Sequence, residues 1–369
     1  MNFEELGIRK DLIKGLNDLN IITPTQIQKE VIPLLLAGNT DLVGQAQTGT
    51  GKTAAYGLPL LQKIEPKRKV VQGLILCPTR ELGQQVAKQL FKFTKYTAKI
   101  FTEAVYGGAP IDKQIYSLKR PTHIIVATPG RLIDLLKKKA VDLKHVKTII
   151  LDEADEMLSM GFKSELDEIL KYVSKAENKW LFSATLPHGI RQIVNQHLSE
   201  DAHKIEVSGS NVVNKHIDHQ YIVCDEYEKL NMLLKFLKNE KDHRGLVFCK
   251  TKVATQKLAK QLIAKNVSAD AIHGDLLQKE RDKVMRAFKN ESLQILIATD
   301  LAARGIDIPD LAYVVHYQMP DQDDYYTHRS GRTARAGKNG VSYCIVTSAE
   351  MNTIRHLEKN LNIVFKQVH

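Results

Sequence analysis

Short apolar stretches rich in β-branched residues recur along the chain, and a stretch with helical spacing follows each of them. In the first half these apolar stretches are residues 73–77, 123–127, 148–151 and 180–182. In the second half they are residues 246–249, 269–273, 295–298, 313–316 and 343–346. Continuous apolar runs of this length are typical of parallel strands that are buried on both faces. The alternation therefore predicts an α/β protein with two doubly wound parallel-sheet domains.

Small polar residues interrupt this alternation near the middle of the chain, where the sequence is Ser208-Gly209-Ser210-Asn211. Such a stretch is typical of a linker. With 369 residues, the chain is long enough for two domains that each bury a core. We therefore predict an N-terminal domain over residues 1–207, a linker over 208–216 and a C-terminal domain over 217–369.

A glycine-rich segment with the sequence AQTGTGKT covers residues 46–53 and lies between an apolar stretch around Val43 and a helical stretch. Glycines allow successive backbone N–H groups to face an anion, Lys52 supplies a charge for terminal phosphates, and the Thr53 hydroxyl suits Mg²⁺. The strict phosphate-loop pattern begins with glycine, where this chain has Ala46. The strand-loop-helix context favours a nucleoside triphosphate site over a glycine-rich turn with a solvated lysine.

Polar clusters follow four of the predicted strands in the first half. The clusters are Pro78-Thr79-Arg80-Glu81, Thr128-Pro129-Gly130-Arg131, Asp152-Glu153-Ala154-Asp155 and Ser183-Ala184-Thr185. Ligands of doubly wound sheets bind beyond the carboxyl ends of the strands, so these clusters predict the functional edge of the sheet.

Two adjacent carboxylates in one of these clusters fit ATP hydrolysis. Asp152 directly follows an apolar strand, where a phosphate-loop enzyme holds the carboxylate that fixes Mg²⁺. Glu153 could then accept a proton from the water that attacks the γ-phosphate. The structural alternative is that Asp152 caps the following helix and Glu153 favours its first turn.

A basic segment in the second half, HRSGRTAR over residues 328–335, offers charge for the transferring phosphoryl group. Arg332 and Arg335 are three residues apart, which predicts one helical face and suits two arginine fingers. The alternative is a basic helix that faces RNA or solvent. Fingers on the second domain and a phosphate loop on the first would make hydrolysis depend on domain closure.

Together these segments resemble the DEAD-box family of RNA helicases, whose members have two RecA-like domains, and the resemblance covers nearly the entire chain. Asp152-Glu153-Ala154-Asp155 resembles the name-giving motif, and residues 46–53 resemble the family's phosphate loop, which normally begins with alanine. The Ser183-Ala184-Thr185 segment is similar to the link that couples hydrolysis to strand separation, in which Asp155 would take part. Residues 24–28 resemble the adenine-reading motif, so Gln28 would select ATP.

The resemblance implies a set of nucleotide-binding residues with ATP and Mg²⁺ as cofactors. Lys52, Glu153, His328, Arg332 and Arg335 would be catalytic, and Thr53 and Asp152 would hold Mg²⁺, partly through water. The complete nucleotide-binding set is Phe3, Gln28, Ala46, Gln47, Thr48, Gly49, Thr50, Gly51, Lys52, Thr53, Asp152, Glu153, Gly305, Asp307, Arg332 and Arg335.

The resemblance also implies a set of RNA-contacting residues. In the first domain these are Pro78, Thr79, Arg80, Gly107, Gly108, Thr128, Pro129, Gly130 and Arg131. In the second domain they are Thr251, Gln278, Arg281, Thr299, Asp300 and Arg304. Hydroxyls, guanidinium groups and glycines suit phosphate and 2′-OH contacts, so the implied recognition is of RNA backbone with little sequence specificity.

The composition of the chain is compatible with an RNA partner and indicates a cellular location. The chain has 53 Lys and Arg against 42 Asp and Glu, a formal charge of +11, which favours a polyanion without requiring one. Its four cysteines have neither zinc-ligand nor disulfide spacing, so we expect buried thiols in a reducing compartment. With no apolar run of membrane-spanning length and no N-terminal signal, we expect a cytoplasmic location. No heptad pattern or long exposed apolar stripe argues for a stable dimer, so we expect a monomer, whose protein partners the sequence does not identify.

Two positions depart from the family pattern. Asn20-Ile21 stands where the family usually has glycine and an aromatic residue, so adenine packing would be apolar rather than stacked. Ala334 replaces a frequent glycine between the two predicted arginine fingers, which keeps their spacing.

We therefore expect an RNA-dependent ATPase that locally unwinds or remodels RNA duplexes and RNA–protein complexes, with ATP and RNA bound in a cleft between its domains. One alternative is an ATP-gated RNA clamp that stays on RNA without unwinding it. Another is a phosphate-loop GTPase or small-molecule kinase, which explains neither the second domain nor the adenine-type motif around Gln28. The chain contains no Asn-Lys-x-Asp segment for reading guanine.

Overall fold

A computed structural model describes residues 1–47, 49–207, 216–303, 311–334 and 338–368 of the chain. The chain divides into two compact units, Met1–Ser210 and Asn211–His369. This division falls within the segment that the sequence predicts as a linker, most of which lies outside the described residues. The domain limits themselves remain a prediction.

The first unit alternates helices and strands from end to end. Its elements are α1 (Lys10–Asn17), α2 (Gln26–Ala37), β1 (Leu42–Gln45), α3 (Lys52–Lys63), β2 (Gly73–Leu76), α4 (Arg80–Phe93), β3 (Thr102–Val105), α5 (Ile111–Leu118), β4 (Ile124–Ala127), α6 (Pro129–Lys137), β5 (Thr148–Leu151), α7 (Ala154–Ser159), α8 (Lys163–Tyr172), β6 (Asn178–Ser183), α9 (His188–His197) and β7 (His203–Glu206).

The second unit has the same alternation. Its elements are β8 (Ile217–Val223), α10 (Lys229–Asn239), β9 (Gly245–Phe248), α11 (Lys252–Ile263), β10 (Ala269–Ile272), α12 (Gln278–Lys289), β11 (Ile295–Ala298), α13 (Asp300–Ala303), β12 (Tyr313–His316), α14 (Asp323–Ser330), β13 (Gly340–Val346), α15 (Met351–Leu361) and β14 (Phe365–Gln367). Short 3₁₀ turns, Glu226–Glu228 and Ser348–Glu350, precede α10 and α15.

Within the described residues, each unit contains one seven-stranded sheet, and all of the strand pairs are parallel. The strand order is β3-β4-β2-β5-β6-β1-β7 in the first unit and β10-β11-β9-β12-β13-β8-β14 in the second. Counted from the first strand of each unit, the two orders are identical. This confirms the predicted class of two doubly wound parallel-sheet domains.

The apolar stretches that predicted the strands are buried on both faces. In β2 and β5, Ile75 and Ile150 join the core layer on one face, whereas Leu74, Leu76 and Leu151 join the layer on the other face. Successive side chains of a strand point to opposite faces, so helices on both sides require a continuous apolar run.

The sequence prediction missed β3, β7, β8 and β14. Three of them, β3, β7 and β14, are edge strands of their sheets. Their sequences, TEAV, HKIE and FKQ, are short and partly polar because an edge strand is only partly covered by helices. β8 lies one strand inside its sheet and alternates buried with half-buried residues rather than forming an apolar run.

The cysteines are unpaired, as the sequence predicts, and Cys77, Cys249 and Cys344 are buried. The prediction of a buried thiol is wrong for Cys224, which is half-buried because it directly follows the carboxyl end of β8. Among the described residues, no helix combines the length and apolar character that a membrane crossing requires.

Candidate functional site

The strand order sorts the predicted site residues of the first unit into two neighbouring groups. The predicted nucleotide-binding segments at the sheet follow β1 and β5, and the predicted coupling segment 183–185 lies at the end of β6. These three strands are adjacent as β5-β6-β1. The segments predicted to contact RNA follow β2, β3 and β4, which are adjacent as β3-β4-β2. Because the sheet is parallel, both groups lie at its carboxyl edge, side by side.

The turn between β1 and α3 has the geometry of a phosphate-binding loop. Gly49 and Gly51 have φ angles of 85° and 90°, in the left-handed region that favours glycine. The Thr50 hydroxyl donates a hydrogen bond to the Gln47 carbonyl oxygen at 2.8 Å, and the buried Lys52 Nζ donates to the Ala46 carbonyl oxygen at 2.9 Å. The loop thus holds a lysine ammonium and the first turn of α3 at the end of β1, where an anion would bind.

Gln28 braces this loop from the start of α2. Its Nε2 donates to the Gly51 carbonyl oxygen at 3.0 Å, and its Oε1 accepts from the Thr25 backbone N–H at 2.9 Å. A Cβ at Gly51 would collide with the Gln28 amide, so glycine is needed there for space as well as for its φ angle. An amide has a second N–H and a second lone pair, which remain suited to an adenine edge.

The structure explains Asn20 and places Phe3 in the core. Asn20 has a φ of 56°, and asparagine tolerates this left-handed conformation better than most residues, which accounts for its place where the family usually has glycine. Ile21 packs against the core cluster of the first unit. Phe3 belongs to the same cluster and is only 3% exposed, so it lies beneath the surface rather than on it.

Asp152 directly follows β5 and is buried, and a side-chain hydrogen bond is described for only one of its two carboxylate oxygens. Oδ2 accepts a hydrogen bond from the Tyr56 hydroxyl at 2.7 Å, whereas Oδ1 has no hydrogen-bond partner among the described residues. Burial raises the pKa of the Asp152 carboxyl, and the charge of Lys52 and the Tyr56 hydrogen bond act against this rise. An unsatisfied buried carboxylate oxygen fits a hydrated Mg²⁺ that arrives with a nucleotide.

No group of three or more His, Cys, Asp or Glu side chains in the described ranges could hold a metal by itself. Mg²⁺ typically keeps several waters and binds through one or two carboxylates together with substrate phosphates, so a single aspartate beside a phosphate loop is a sufficient protein contribution.

Glu153 has an unusual backbone conformation. Its φ and ψ are 52° and 53°, a left-handed conformation that costs a residue with a side chain about 1–3 kcal/mol. Glu153 occupies the N-cap position of α7, and no side-chain capping hydrogen bond from it is present in the described structure. The alternative that Asp152 caps this helix is wrong, because the cap position belongs to Glu153 and Asp152 binds Tyr56 instead.

A closed set of hydrogen bonds joins the Asp155 region to the end of β6. The Asp155 Oδ2 accepts from the Thr185 backbone N–H at 2.8 Å and from the Thr185 hydroxyl at 3.0 Å. The Ser183 hydroxyl donates to the Thr185 carbonyl oxygen at 2.7 Å and accepts from the Asp155 N–H at 3.2 Å. These bonds connect the start of α7 directly to residues 183–185.

The predicted RNA-contacting residues of the first unit are held by local bonds. The Thr79 hydroxyl accepts from the Leu82 N–H at 3.3 Å and caps α4, and the Thr128 hydroxyl accepts from the Gly107 N–H at 3.3 Å. Arg131 Nη1 donates to the Ala109 carbonyl oxygen at 3.0 Å, which ties α6 to the loop after β3. The Gly107–Thr128 and Ala109–Arg131 bonds thus join the segments that follow β3 and β4.

The second unit repeats the arrangement at its corresponding strands. Thr251 caps α11 by accepting from the Ala254 N–H at 3.1 Å, as Thr79 caps α4. Gln278 and Arg281 lie on α12, and Thr299 precedes α13. The three strands that precede these residues, β9, β10 and β11, are adjacent as β10-β11-β9. The same strand positions precede the residues of the first unit that are predicted to contact RNA.

Sequence reasoning missed Arg329, which binds Asp300, one of the predicted site residues of the second unit. Its guanidinium is 1% exposed and forms a two-pronged pair with Asp300, at 2.5 Å to Oδ1 and 2.7 Å to Oδ2. It also donates to the Gln318 carbonyl oxygen at 2.7 Å and lies 4.9 Å from the Phe248 ring centre. Asp300, predicted to contact RNA, thus has both carboxylate oxygens engaged by Arg329.

Buried hydroxyl and imidazole groups support α14 from below. The Tyr326 hydroxyl lies 2.6 Å from His219 Nδ1 and 3.1 Å from Ser342 Oγ, and His316 Nε2 lies 3.1 Å from Ser342 Oγ. Burial lowers the pKa of His219 to about 4 and holds that of His316 well below its usual range. Both imidazoles are therefore neutral near pH 7, and the helix that carries His328 rests on an uncharged polar layer.

The prediction that Arg332 lies on a helical face is wrong. Helix α14 ends at Ser330 with Gly331 as its C-cap, and the chain then forms a β-bridge between Thr333 and Leu311. His328, Arg329 and Arg332 nevertheless line one concavity with Asp300. Ala334 has a φ of 55°, a conformation that explains why glycine is common there in the family.

Five of the predicted site residues lie outside the described residues: Thr48, Arg304, Gly305, Asp307 and Arg335.

A groove of about 1170 Å³ in the first unit lies away from all of these residues. Its lining includes Phe91, Lys95, Phe101 and Arg120, near the amino ends of β3 and β4. It is therefore on the opposite edge of the sheet from the candidate site.

Comparison with known proteins gives a consistent result. A family model described as DEAD/DEAH box helicase matches residues 25–193, and one described as helicase conserved C-terminal domain matches residues 228–337. The ATP-dependent RNA helicase CshA of Limosilactobacillus reuteri is 42% identical over 359 residues, which cover 97% of this chain and 72% of that protein. The DEAD-box ATP-dependent RNA helicase CshA of Bacillus cereus (strain ATCC 10987) is 41% identical over 357 residues, which cover 97% of this chain and 67% of that protein.

Among solved structures, S. cerevisiae Dbp5 bound to RNA and ADP BeF3 matches with a TM-score of 0.91 at 30% identity, covering 99% of this chain and 95% of that one.

Proposed function

Since the chain belongs to the DEAD/DEAH box helicase family, we propose that it is an RNA-dependent ATPase that locally unwinds or remodels RNA duplexes and RNA–protein complexes. The observation that carries this proposal is the grouping of Lys52, Asp152 and Glu153 at the carboxyl ends of β1 and β5, with the RNA-contacting segments beside them. The relatives are named as ATP-dependent RNA helicases, and the Dbp5 structure contains RNA and a nucleotide.

For ATP, we assign binding to the phosphate loop and hydrolysis to Glu153. Lys52 would neutralise the terminal phosphates, and Gln28 would select adenine through the part of its amide that Thr25 and Gly51 leave open. Thr53 and Asp152 would hold Mg²⁺, which supplies charge stabilisation on the phosphates when it is bound. Glu153 would take the proton from the attacking water. Its left-handed backbone conformation occurs at the N-cap of α7, so its own carboxylate is carried at the start of that helix.

For the second unit, we propose that Arg332 and Arg335 stabilise charge on the transferring phosphoryl group and that His328 helps to couple the two halves of the chain. Gly305 and Asp307 would contact the nucleotide. Because residues of both units would contact the nucleotide, its binding and hydrolysis would affect both units.

For RNA, we propose contacts with phosphate and sugar groups rather than base edges. The candidate surfaces offer threonine hydroxyls, guanidinium groups and the exposed glycines 107 and 108, which permit a close approach of the backbone. The Asp155–Thr185–Ser183 bonds would carry the state of the nucleotide to the RNA-binding side of the sheet. We further propose Mg²⁺ as the metal cofactor. We also propose a cytoplasmic location, because unpaired cysteines are typical of proteins in a reducing compartment.

Duplex release over many turnovers tests this function against an RNA clamp. With excess short RNA duplex and ATP, we expect several duplexes to be separated per enzyme molecule, and separation to stop when Lys52 is replaced by alanine. The conservative control is Lys63→Ala on the same helix, whose ammonium donates to the Gly38 carbonyl oxygen, away from the phosphate loop. Stable ATP-dependent retention of RNA without duplex release would contradict unwinding and favour the clamp.

A further inference from the structure

Tyr56 is a fully buried tyrosine whose hydroxyl reaches the candidate magnesium site. Its ring lies on α3 against Phe182, with ring centres 5.2 Å apart, and its hydroxyl donates to Asp152 Oδ2 at 2.7 Å. None of the sequence patterns above assigns a role to Tyr56, which follows the phosphate loop among apolar residues.

The hydrogen bond makes the two carboxylate oxygens of Asp152 unequal. Oδ2 is occupied by the tyrosine hydroxyl, and Oδ1 is the oxygen without a hydrogen-bond partner in the described part of the chain. A carboxylate held at one oxygen cannot rotate freely, and hydrogen bonds to charged groups are among the stronger ones in proteins. The interaction therefore fixes which oxygen is available.

We propose that Tyr56 is a positioning residue, which orients the Asp152 carboxylate so that Oδ1 is kept for the hydration shell of the Mg²⁺ that accompanies ATP. This inference rests on the proposed role of Asp152 in holding Mg²⁺. It adds a residue that acts through another and does not touch the nucleotide. Partners of metal-binding carboxylates affect metal affinity in this way, because they remove the freedom that the ligand would otherwise lose on binding.

The competing explanation is that Asp152 merely satisfies a buried tyrosine hydroxyl. In that case, removal of the hydroxyl would change stability and leave the dependence of nucleotide binding on Mg²⁺ unchanged. The two explanations therefore differ in a binding measurement that requires no hydrolysis.

The test is Tyr56→Phe, which keeps the ring and removes only the hydroxyl. Binding of a fluorescent non-hydrolysable ATP analogue is measured while free Mg²⁺ is varied. We expect the Mg²⁺ concentration for half-maximal binding to rise about tenfold, the lower end of the range for partners of metal ligands, because phosphates supply much of the coordination. Binding measured in EDTA should match that of the unmodified protein.

Two further variants make the result specific. Tyr313→Phe removes another buried tyrosine hydroxyl, one without a hydrogen-bond partner among the described residues, and should leave the Mg²⁺ curve unchanged. In an Asp152→Asn background, Tyr56→Phe should have no additional effect on the Mg²⁺ dependence, because the two residues act as one unit.

A Tyr56→Phe curve that coincides with that of the unmodified protein overturns the inference and leaves the proposed function standing. Nucleotide binding by the unmodified protein that does not depend on Mg²⁺ overturns both the inference and the assignment of Asp152.

Discussion

Replacing Glu153 with glutamine is expected to lower RNA-stimulated ATP hydrolysis by about 10²- to 10⁴-fold, the usual contribution of a general base. Glutamine has the same shape and can adopt the same left-handed backbone conformation, but its amide cannot accept a proton from water. The phosphate loop, Asp152 and the segments proposed to contact RNA are unchanged, so ATP-dependent binding of RNA should persist. Phosphate release and RNA binding are measured on the same preparation.

The matched control is Glu156→Gln. Glu156 is also buried, lies on the same helix α7 and accepts a hydrogen bond from the Ser159 hydroxyl at 3.4 Å. Its replacement should leave the rate of hydrolysis within a few-fold of the original. Phosphate release by the Glu153 variant at the original rate would contradict the assignment of Glu153 as the base.

Replacing Arg329 with alanine is expected to lower the free energy of unfolding of the second unit by about 3 kcal/mol, the lower end of the range for breaking a buried ion pair. The lower end applies because the Asp300 side chain keeps 23% of its surface exposed. The change leaves the Asp300 carboxylate and the Gln318 carbonyl oxygen without their guanidinium donor. The free energy of unfolding of Arg329→Lys should lie between those of Arg329→Ala and the unmodified protein. Lysine keeps the positive charge, but its ammonium cannot donate to both carboxylate oxygens in the same geometry.

The single tryptophan of the chain makes this effect separable by unit. Trp180 is buried in β6 of the first unit, so its fluorescence follows the unfolding of that unit, whereas circular dichroism follows both. The urea midpoint of the second unit should decrease while the Trp180 transition stays in place. Lys250→Ala, which breaks the exposed pair with Asp321, should cost less than about 1 kcal/mol. An unchanged circular dichroism transition for Arg329→Ala would contradict the role of the pair.

The strands and their ends could be predicted because a parallel strand covered on both faces must be apolar throughout. The pattern 148–151 followed by Asp152 specifies both a buried strand and a polar group at its carboxyl end. Edge strands such as β3 and β7 escaped prediction because fewer helices cover them, which leaves their sequences partly polar.

Long-range polar contacts could not be predicted from spacing. Tyr56 and Asp152 are 96 residues apart, and Arg329 and Asp300 are 29 residues apart, so no local pattern connects either pair. Tyr56 looks like one more apolar member of its helix in the sequence. The helical spacing of Arg332 and Arg335 was misleading because Gly331 ends α14 and Thr333 pairs with Leu311.

The most direct test of the central claim is steady-state phosphate release from ATP with and without single-stranded RNA. A DNA strand of the same sequence is the control for charge alone, and Lys52→Ala is the blank. We predict strong stimulation by RNA, little by DNA, and none in the blank, because the candidate surface offers groups for phosphate and 2′-OH contacts. Equal rates with and without RNA, with ATP binding intact, would contradict RNA-coupled hydrolysis.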